Sequence, residues 1–487
     1  MPHAATTVWT LAQWLEVVER ELLLFALFWF LIGMVDELAV DLIWLGLRLD
    51  PRQWAGRRRA AARKGALDTS APHSLVAVFV PAWKEARVIG ITLGQMCRHW
   101  PDPALRIYVG CYANDPATLV AAMGAVGADP RVRLVVHDRA GPTTKADCLN
   151  RLYRAMQADE ARWGRRFGAV VLHDAEDMVH PLSLRLIAQA LREADFVQLP
   201  VSPALPRGSH WVAGHYCDEF TESHAKALVV RSALGAGLPA AGVGCGFGRA
   251  ILARIAEMRA GEGEGGPFAS ACLTEDYELG LIIARLQGRS LFVRQRDAGG
   301  RLIATRSYFP SSLPAAVRQK TRWIHGIALQ GWDRLGWNAR LVDIWMALRD
   351  RRGPLTALVL AVAYLLVVVE ALLMVVTPGA PYSLPQTPLE VGLMRLAMFG
   401  FIWRAAMRFG FTTREYGPLE GLLAVLRIPV GNVIAIMAGT RAFVAYCRSL
   451  AGAAVLWDKT EHDDHPALHD SPAPHSGGAP QPSGAGA

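Results

Sequence analysis

The stretch Ala169-Val-Val-Leu-His-Asp-Ala-Glu-Asp177 decides the fold, because a short apolar run ends in a cluster of carboxylates. A run of this length, rich in β-branched residues, predicts a buried strand. Three similar runs lie upstream, at residues 76–80, 105–109 and 132–136. Helical stretches at residues 85–99 and 145–159 separate them. The alternation predicts an α/β fold with a mostly parallel, doubly wound sheet over residues 74–330.

The apolar content indicates a membrane protein. Hydrophobic residues make up 52% of the 487 residues, more than in a typical soluble protein. Residues 22–47 are long enough to cross a bilayer, and the acidic residues before them exclude a cleavable signal peptide. Residues 355–376 are predicted as the clearest span and residues 391–403 as a weaker third. We expect residues 419–427 to form an interfacial helix. Residues 429–446 could span the membrane or lie in its plane, and Asn432 and Arg441 favour the plane.

Three acids interrupt the first predicted span. Asp36, Glu37 and Asp41 fall on one face of a helix. Charges at that depth are costly unless they are paired or hydrated. One interpretation is a helix end that reaches the interface. The other is a functional face turned toward a partner or a polymer path.

The charge distribution favours an anionic membrane surface as partner. The net charge is +8, and much of it follows the first span, at Arg48, Arg52, Arg57, Arg58, Arg59, Arg63 and Lys64. By the positive-inside rule this run predicts that the N-terminus lies outside and the α/β domain in the cytoplasm. No basic stripe alternates with aromatic residues, which argues against nucleic-acid binding. The seven scattered cysteines indicate neither a disulfide framework nor a zinc site.

The acids after the strand form a candidate metal site. Asp174 and Glu176 offer oxygen ligands that suit Mg²⁺ or Mn²⁺ held together with phosphate. Asp177 competes with Glu176 for the second position. The alternative is a helix N-terminus that carries acids because the helix dipole favours them.

Two later motifs offer further chemistry. Thr274-Glu275-Asp276 opens a helical stretch, where Asp276 is either a general base or part of a helix cap. Gln319, Arg322 and Trp323 place an amide, a cation and a flat ring within about one helical turn. That set suits a diphosphate and a stacked sugar, although an amphipathic helix near the membrane would produce the same spacing.

In this order the motifs resemble the inverting family-two glycosyltransferases of the membrane-synthase kind, which have a GT-A fold. The segment Val80-Pro-Ala-Trp-Lys-Glu85 is similar to that family's first-strand motif, with Lys84 in place of the usual Asn. The resemblance covers about residues 74–330. It implies a nucleotide site formed by Pro81, Trp83, Glu85, Asn114, Asp115, Lys145 and Asp147.

The resemblance also assigns the reacting groups. Asp174 and Glu176 match the family's metal pair, with Glu in place of the second Asp, and Asp276 matches the base. The acceptor and diphosphate side would comprise Cys245, Gly246, Phe247, Glu275, Gln319, Arg322 and Trp323. The glycines from Gly242 to Gly248 could be taken for a dinucleotide loop, but the irregular stretch before them argues against one.

The resemblance further implies a processive enzyme of the bacterial inner membrane. It would move a sugar from a UDP-hexosamine to a growing surface glycan, with the catalytic domain in the cytoplasm. Single transfer to a lipid carrier and an idle envelope scaffold are the alternatives. With three or four spans, we expect a second copy or an outer-membrane partner to complete the polymer path.

The predicted organisation has six parts. They are an N-terminal helix and first span at 1–47, a basic linker at 48–73, the GT-A domain at 74–330, an interfacial connection at 331–354, transmembrane and interfacial helices at 355–450, and a segment with a disordered tail at 451–487. Longer relatives of this kind carry a C-terminal regulatory domain, and we expect the last segment to be too short to hold one.

Overall fold

The computed structural model describes residues 11–50, 74–205, 210–261, 263–337, 340–376, 387–452 and 465–466. Its strands are β1 (Leu75–Pro81), β2 (Leu105–Cys111), β3 (Val132–Val136), β4 (Phe167–Leu172), β5 (Phe196–Gln198), β6 (Val201–Ala204), β7 (Cys245–Gly248), β8 (Ser290–Phe292) and β9 (Thr305–Tyr308). All four predicted strands are present, and three of them extend beyond the apolar run.

Seven strands form one sheet in the order β3-β2-β1-β4-β7-β5-β8, and β6 pairs with β9 in a second, small sheet. The first four run parallel, while β7 lies antiparallel between β4 and β5. The fold is therefore a mostly parallel α/β sheet of the predicted class. The carboxyl ends of β1 and β4 meet at one edge, where ligands bind in open sheets of this kind.

The helices of the α/β domain are α2 (Ile89–His99), α3 (Pro116–Val126), α4 (Lys145–Trp163), α5 (Ser183–Ala190), α6 (Val212–Glu222), α7 (Leu228–Ala233), α8 (Arg249–Ala260), α9 (Glu275–Arg285) and α10 (Leu313–Trp323). Wider π-helical turns follow α6 at Ser223–Ala227 and α10 at Ile324–Gln330. The helix expected from residue 85 begins only at Ile89, because the chain turns at Lys84, whose φ is +55°.

The core lies on both faces of the sheet. Alternate residues of β1 face opposite sides, with Phe79 packing toward α4 and α8 and Val78 packing toward α2. Both side chains are completely buried. A strand covered on both faces carries a continuous apolar run, as the sequence of β1 does.

The remaining helices flank this domain: α1 (Leu11–Leu49), α11 (Gly331–Leu335), α12 (Leu341–Arg351), α13 (Gly353–Val376), α14 (Pro388–Tyr416), α15 (Pro418–Leu426) and α16 (Ile428–Leu450). Among the described residues, three helical segments are long and apolar enough to cross a membrane: Val17–Leu49, Gly353–Leu372 and Ile428–Leu450. The chain is thus associated with a membrane through helices on both sides of its α/β domain.

Two predictions about these helices differ from what the length and composition of the observed helices indicate. Residues 391–403 belong to α14, which is not among the three candidate spans, since it carries several arginines. Residues 429–446, predicted to lie in the membrane plane, belong to α16, which is among them. The side chain of Asn432 donates to the hydroxyl of Tyr364 at 3.3 Å. A Cβ at Gly439 would overlap Ala357, so α16 packs closely along α13.

The acidic face of α1 is turned toward other parts of the same chain. Asp41 is completely buried and pairs with Lys226 at 2.5 Å, and Lys226 also reaches Glu222 at 2.7 Å. The remaining acids of this face pair with arginines on α12 and α14 or directly after α12: Arg349, Arg352 and Arg404. These ion pairs compensate the buried charges and join the membrane helix to the α/β domain.

Several predictions lie outside the described residues. They include the basic residues from Arg52 to Lys64, and most of the segment predicted as a disordered tail. Within that segment, His465 corrects the prediction, because its side chain is completely buried and lies 3.1 Å from the hydroxyl of Thr92.

Replacing Lys226 with Met should destabilise the protein by about 3–5 kcal/mol, because Asp41 and Glu222 would remain buried without their cation. Thermal unfolding of the purified chain in detergent measures this. Arg301→Met is a matched control, since Arg301 pairs with Asp297 while its side chain is 77% exposed. We expect that control to cost at most about 1 kcal/mol. Equal effects of the two substitutions would show that the buried cluster is not needed.

Candidate active site

A cavity of about 530 Å³ opens at the carboxyl ends of β1 and β4. Its walls come from the strand ends, the start of α9, the end of α10 and the π-helical turn after α6. It extends to Val40 on α1 and to Arg349 and Arg352 at the end of α12. One continuous space therefore runs from the sheet edge to the membrane helix.

The acids after β4 form a tight turn at the cavity wall. The Oδ2 atom of Asp177 accepts from the backbone N–H of Asp174 at 3.0 Å and contacts His173 Nδ1 at 2.8 Å. Asp177 is almost fully buried, whereas Asp174 and Glu176 are partly exposed. Asp177 thus holds the turn, which leaves Asp174 and Glu176 as the better pair for a ligand.

Lys145 is a cation that lines the cavity. Its ammonium lies 2.6 Å from Asp174 Oδ1. Burial lowers the pKa of Lys145, but the nearby acids Asp174, Glu275 and Asp276 outweigh it and raise the pKa well above its usual value. The amine therefore stays charged.

The start of α4 fixes the position of Lys145. Thr144 is the N-cap, and its hydroxyl accepts from the backbone N–H of Asp147 at 3.1 Å while Asp147 accepts from Thr144 in return. Such a reciprocal cap holds the first helical turn in place. Farther along the helix, the side chain of Asn150 donates to Phe268 O and accepts from Phe268 N, which ties the loop before α9 to α4.

Helix α9 begins with Glu275 and Asp276, and both residues line the cavity. Burial raises the pKa of Glu275 to about 7, with a further contribution from Asp276. Burial likewise raises the pKa of Asp276, although Lys145 opposes the shift. Asp276 Oδ1 accepts from the backbone N–H of Tyr277 at 2.7 Å. A carboxylate with a raised pKa is a stronger base, so Asp276 can accept a proton from a bound hydroxyl.

The close approach of glycines keeps Asp276 in place. Gly242 has a φ of +75°, and a Cβ there would overlap Asp276 Oδ2. Gly326, in the π-helical turn after α10, leaves no room for a Cβ beside Thr274. The loop before β7 and the turn after α10 therefore enclose the start of α9 from two sides.

Gln319, Arg322 and Trp323 line the cavity from the end of α10. The Oε1 atom of Gln319 is buried, and it has no hydrogen-bond partner among the described residues. Arg322 lowers the pKa of Asp276, although less than burial raises it. Trp323 packs with Phe309 and with Tyr216, at ring distances of 6.4 and 6.1 Å. All three predicted side chains thus reach the same cavity as Asp276.

The predicted nucleotide residues divide into two groups. Pro81, Trp83, Glu85 and Lys145 line the cavity. Asn114, Asp115 and Asp147 are not among its lining residues. Asp115 caps α3 and accepts from Lys84 N at 2.6 Å. Asn114 exchanges two hydrogen bonds with Gly141, and Asp147 caps α4 and pairs with Arg139 at 2.7 Å.

Cys245, Gly246 and Phe247 correct a sequence prediction. They form β7, in the middle of the sheet, and the side chains of Cys245 and Phe247 are completely buried. A Cβ on Gly246 would overlap Ile187. These residues therefore do not border the cavity. The loop directly before them does, through Pro239, Ala240, Ala241 and Val243.

Sequence reasoning missed a polar cluster at the membrane end of the cavity. Arg231 binds both oxygens of Asp350 at 2.9 Å, and the hydroxyl of Tyr277 donates to Asp350 at 2.7 Å. All three line the cavity. Asp350 lies 119 residues from Arg231 in a segment without a motif, so only a tertiary contact reveals it.

The donor set fits a divalent cation that binds together with phosphate. No group of three or more His, Cys, Asp or Glu that could hold a metal occurs within the described ranges. Mg²⁺ is commonly held by one or two carboxylates and substrate phosphates. Asp174 and Glu176 supply that number at the cavity wall.

Comparison with known proteins gives one family. The family model described as "Glycosyltransferase like family 2" matches residues 72–326. Two Escherichia coli proteins are each 34% identical over 478 residues, bacteriophage adsorption protein B of strain K12 and bacteriophage N4 adsorption protein B of O157:H7. The match covers 93% of this chain and 63% of each relative, so the chain spans less than two thirds of their length.

Solved structures are more distant. The mannosyltransferase PcManGT from Pyrobaculum calidifontis, in complex with GDP-Man and Mn²⁺, is 15% identical with a TM-score of 0.43. That match covers 81% of this chain and 99% of the other. Glucosyl-3-phosphoglycerate synthase from Mycobacterium tuberculosis, with Mn²⁺, UDP-Glc and glycerol 3-phosphate, is 17% identical with a TM-score of 0.34. It covers 57% of this chain and 86% of the other.

Replacing Gly242 with Ala should strain the backbone by about 1–2 kcal/mol and displace Asp276. Gly263→Ala is a matched control, because its φ is +84° and a Cβ there would meet nothing within 4 Å. We expect both variants to lose stability in thermal unfolding, Gly242→Ala the more because of its overlap with Asp276, and only Gly242→Ala to lose catalytic activity, by about tenfold or more. Full activity of Gly242→Ala would contradict the close contact with Asp276.

Proposed function

The chain belongs to the family-two glycosyltransferases, and on that premise we propose that it transfers a sugar from a nucleotide sugar to a growing surface glycan. We expect a UDP-hexosamine as donor and inversion at the anomeric carbon. The observation that carries the proposal is the meeting of Asp276, Lys145 and Arg322 in one cavity. A base and two cations are what transfer from a sugar diphosphate requires.

In the proposed reaction, the acceptor hydroxyl attacks the anomeric carbon from the side opposite the diphosphate. The new carbon–oxygen bond forms as the bond to the diphosphate oxygen breaks, and its electron pair leaves with the nucleotide diphosphate. Asp276 takes the proton of the hydroxyl. Its raised pKa supports this role, because a stronger base accepts the proton more readily.

The departing diphosphate gains negative charge, and two cations of this chain face it in the proposal. Lys145 stays protonated, and Arg322 lines the same cavity. Fixed cations in a buried cavity stabilise charge that develops during the reaction. Asp174 and Glu176 would hold Mg²⁺ or Mn²⁺, which when bound supplies further electrostatic stabilisation of the diphosphate.

The membrane end of the cavity supports an acceptor that arrives from the membrane side. Val40 belongs to α1, and it lines the same cavity as Asp276. A glycan chain or a lipid-linked sugar at the membrane could thereby reach the base. We place the protein in the bacterial inner membrane as a multi-pass protein with its α/β domain in the cytoplasm. A second copy or an outer-membrane partner would extend the glycan path.

A nucleotide-sugar screen tests the proposal. The purified full chain in lipid nanodiscs is incubated with each donor, with membrane lipid extract as acceptor source and with Mg²⁺, Mn²⁺ or EDTA. Mass spectrometry reads the product. Products of many sugars support processive synthesis, whereas one sugar per lipid would establish the lipid-carrier alternative. Failure with every donor and either metal would contradict glycosyl transfer.

Replacing Asp276 with Asn should abolish transfer, by about 100-fold or more, because the amide cannot accept the proton. Folding should be retained, since Asn keeps the shape of the side chain and its carbonyl oxygen can accept from Tyr277. Asp343→Asn is a control on a carboxylate that accepts from Gly237 outside the cavity. Unchanged transfer by Asp276→Asn would remove Asp276 as the base and favour the scaffold alternative.

The pH profile of transfer follows from the raised pKa of Asp276. The base must be ionised, so activity is present above its pKa and is lost as the pH falls through it. Because burial raises that pKa, the acid limb of kcat/KM should lie above the ordinary value of about 4 for an exposed carboxyl. Initial rates across the acidic and neutral range measure this. An acid limb at the ordinary carboxyl pKa would contradict the buried base.

A further inference from the structure

One face of α2 holds the turn that carries Asp174 and Glu176. The hydroxyl of Thr92 donates to Ala175 O at 2.6 Å, and Gln95 Oε1 accepts from Val179 N at 3.1 Å. One to two turns farther on, His99 Nδ1 lies 3.0 Å from Val179 O, and Trp100 Nε1 donates to His180 O at 3.2 Å. The spacing of these side chains places them on one side of the helix. The turn is therefore supported from behind, on the side away from the cavity.

Thr92 makes the contact nearest to the two carboxylates, since Ala175 lies between them. A hydroxyl has one hydrogen to donate. In a helix, a threonine hydroxyl usually donates to the carbonyl four residues earlier. Here the hydrogen is directed to Ala175 O instead, which leaves the lone pairs of the hydroxyl oxygen available to a donor.

His465 supplies the second contact of this hydroxyl. Its Nε2 lies 3.1 Å from Thr92 Oγ1, and both side chains are completely buried. Since the hydroxyl hydrogen is engaged by Ala175 O, the oxygen must accept, and Nε2 must carry the hydrogen. The geometry thus gives a chain of two hydrogen bonds, here called the relay: His465 donates to Thr92, and Thr92 donates to the backbone carbonyl between Asp174 and Glu176. The imidazole donates through Nε2 whether it is neutral or protonated.

We propose that His465 is a positioning residue for the carboxylate turn: it orients the hydroxyl of Thr92, which holds Ala175 and thereby the side chains of Asp174 and Glu176. His465 thus supports the turn from the side of α2, although it lies 373 positions from Thr92 in the sequence. The consequence for transfer rests on the proposed function, whereas the structural relay does not.

Hydrogen exchange tests the relay without any ligand. In the full chain, His465→Ala should speed exchange of the backbone amides of residues 174–179 by about three- to tenfold, the effect of one lost buried hydrogen bond. Thr92→Val should do the same. His465→Gln should keep exchange near the wild-type rate, because the Gln amide can donate from nearly the position of Nε2. His210→Ala, which removes a histidine bound to Glu420, is the control.

A double-mutant cycle shows whether His465 acts through Thr92. If it does, His465→Ala in the Thr92→Val background should add almost nothing. Additive effects, or unchanged exchange in His465→Ala, would overturn the proposal. If His465→Ala unfolds, backbone amides throughout the chain will lose their protection from exchange. The exchange rates of His465→Gln and Thr92→Val then decide whether His465 acts on the turn through Thr92.

The functional consequence is measured by binding and rate. Titration of Mn²⁺ in the presence of UDP, followed by electron paramagnetic resonance, should show about three- to tenfold weaker binding in His465→Ala and recovery in His465→Gln. In transfer assays, the KM for the metal-bound donor should rise more than kcat falls. Faster exchange with unchanged Mn²⁺ binding would refute the link to the carboxylates. If wild-type protein neither binds Mn²⁺ with UDP nor transfers sugar, the proposed function is contradicted. The hydrogen-exchange experiment still tests whether His465 positions the carboxylate turn.

Discussion

The site depends on one charge arrangement, the ammonium of Lys145 among the carboxylates of Asp174, Glu275 and Asp276. Buried charges persist only where opposite charge and hydrogen bonds compensate for lost hydration. Three separate parts of the chain must therefore meet: the start of α4, the turn after β4 and the start of α9. The reciprocal cap at Thr144, the carboxylate of Asp177 and the glycine at position 242 are the means by which each part is fixed.

A second set of buried charges, on the membrane helix α1, is likewise compensated by opposite charges. Asp36, Glu37 and Asp41 would be costly on an apolar helix, and cations of the α/β domain, α12 and α14 compensate them. The arginines at the end of α12 belong to both regions, since Arg349 and Arg352 pair with α1 and also line the cavity. The membrane helix is thereby held against the site at which an acceptor would arrive.

The sequence predicted the first four strands of the sheet, because each is a short run rich in β-branched and other apolar residues. It did not predict the shorter strands β5, β7 and β8. It also predicted which motifs converge at the strand ends, since the topology of a parallel sheet brings them to one edge. It was less successful where a residue type serves two purposes. Asp115 and Asp147 cap helices, and Cys245 and Phe247 lie within the sheet, although their motifs matched functional positions. Local pattern cannot distinguish a capping carboxylate from one that faces a cavity.

The sequence by itself determined the fold class, the presence of apolar helices on both sides of the α/β domain, and the set of acids and cations available for catalysis. These properties follow from composition and from periodicity within short windows. Only the tertiary structure decided which polar groups pair: Asp41 with Lys226, Tyr277 with Asp350, and His465 with Thr92. Each pair joins residues that are 73 or more positions apart. Their energies come from burial and from close donor–acceptor geometry, which exist only once the chain has folded.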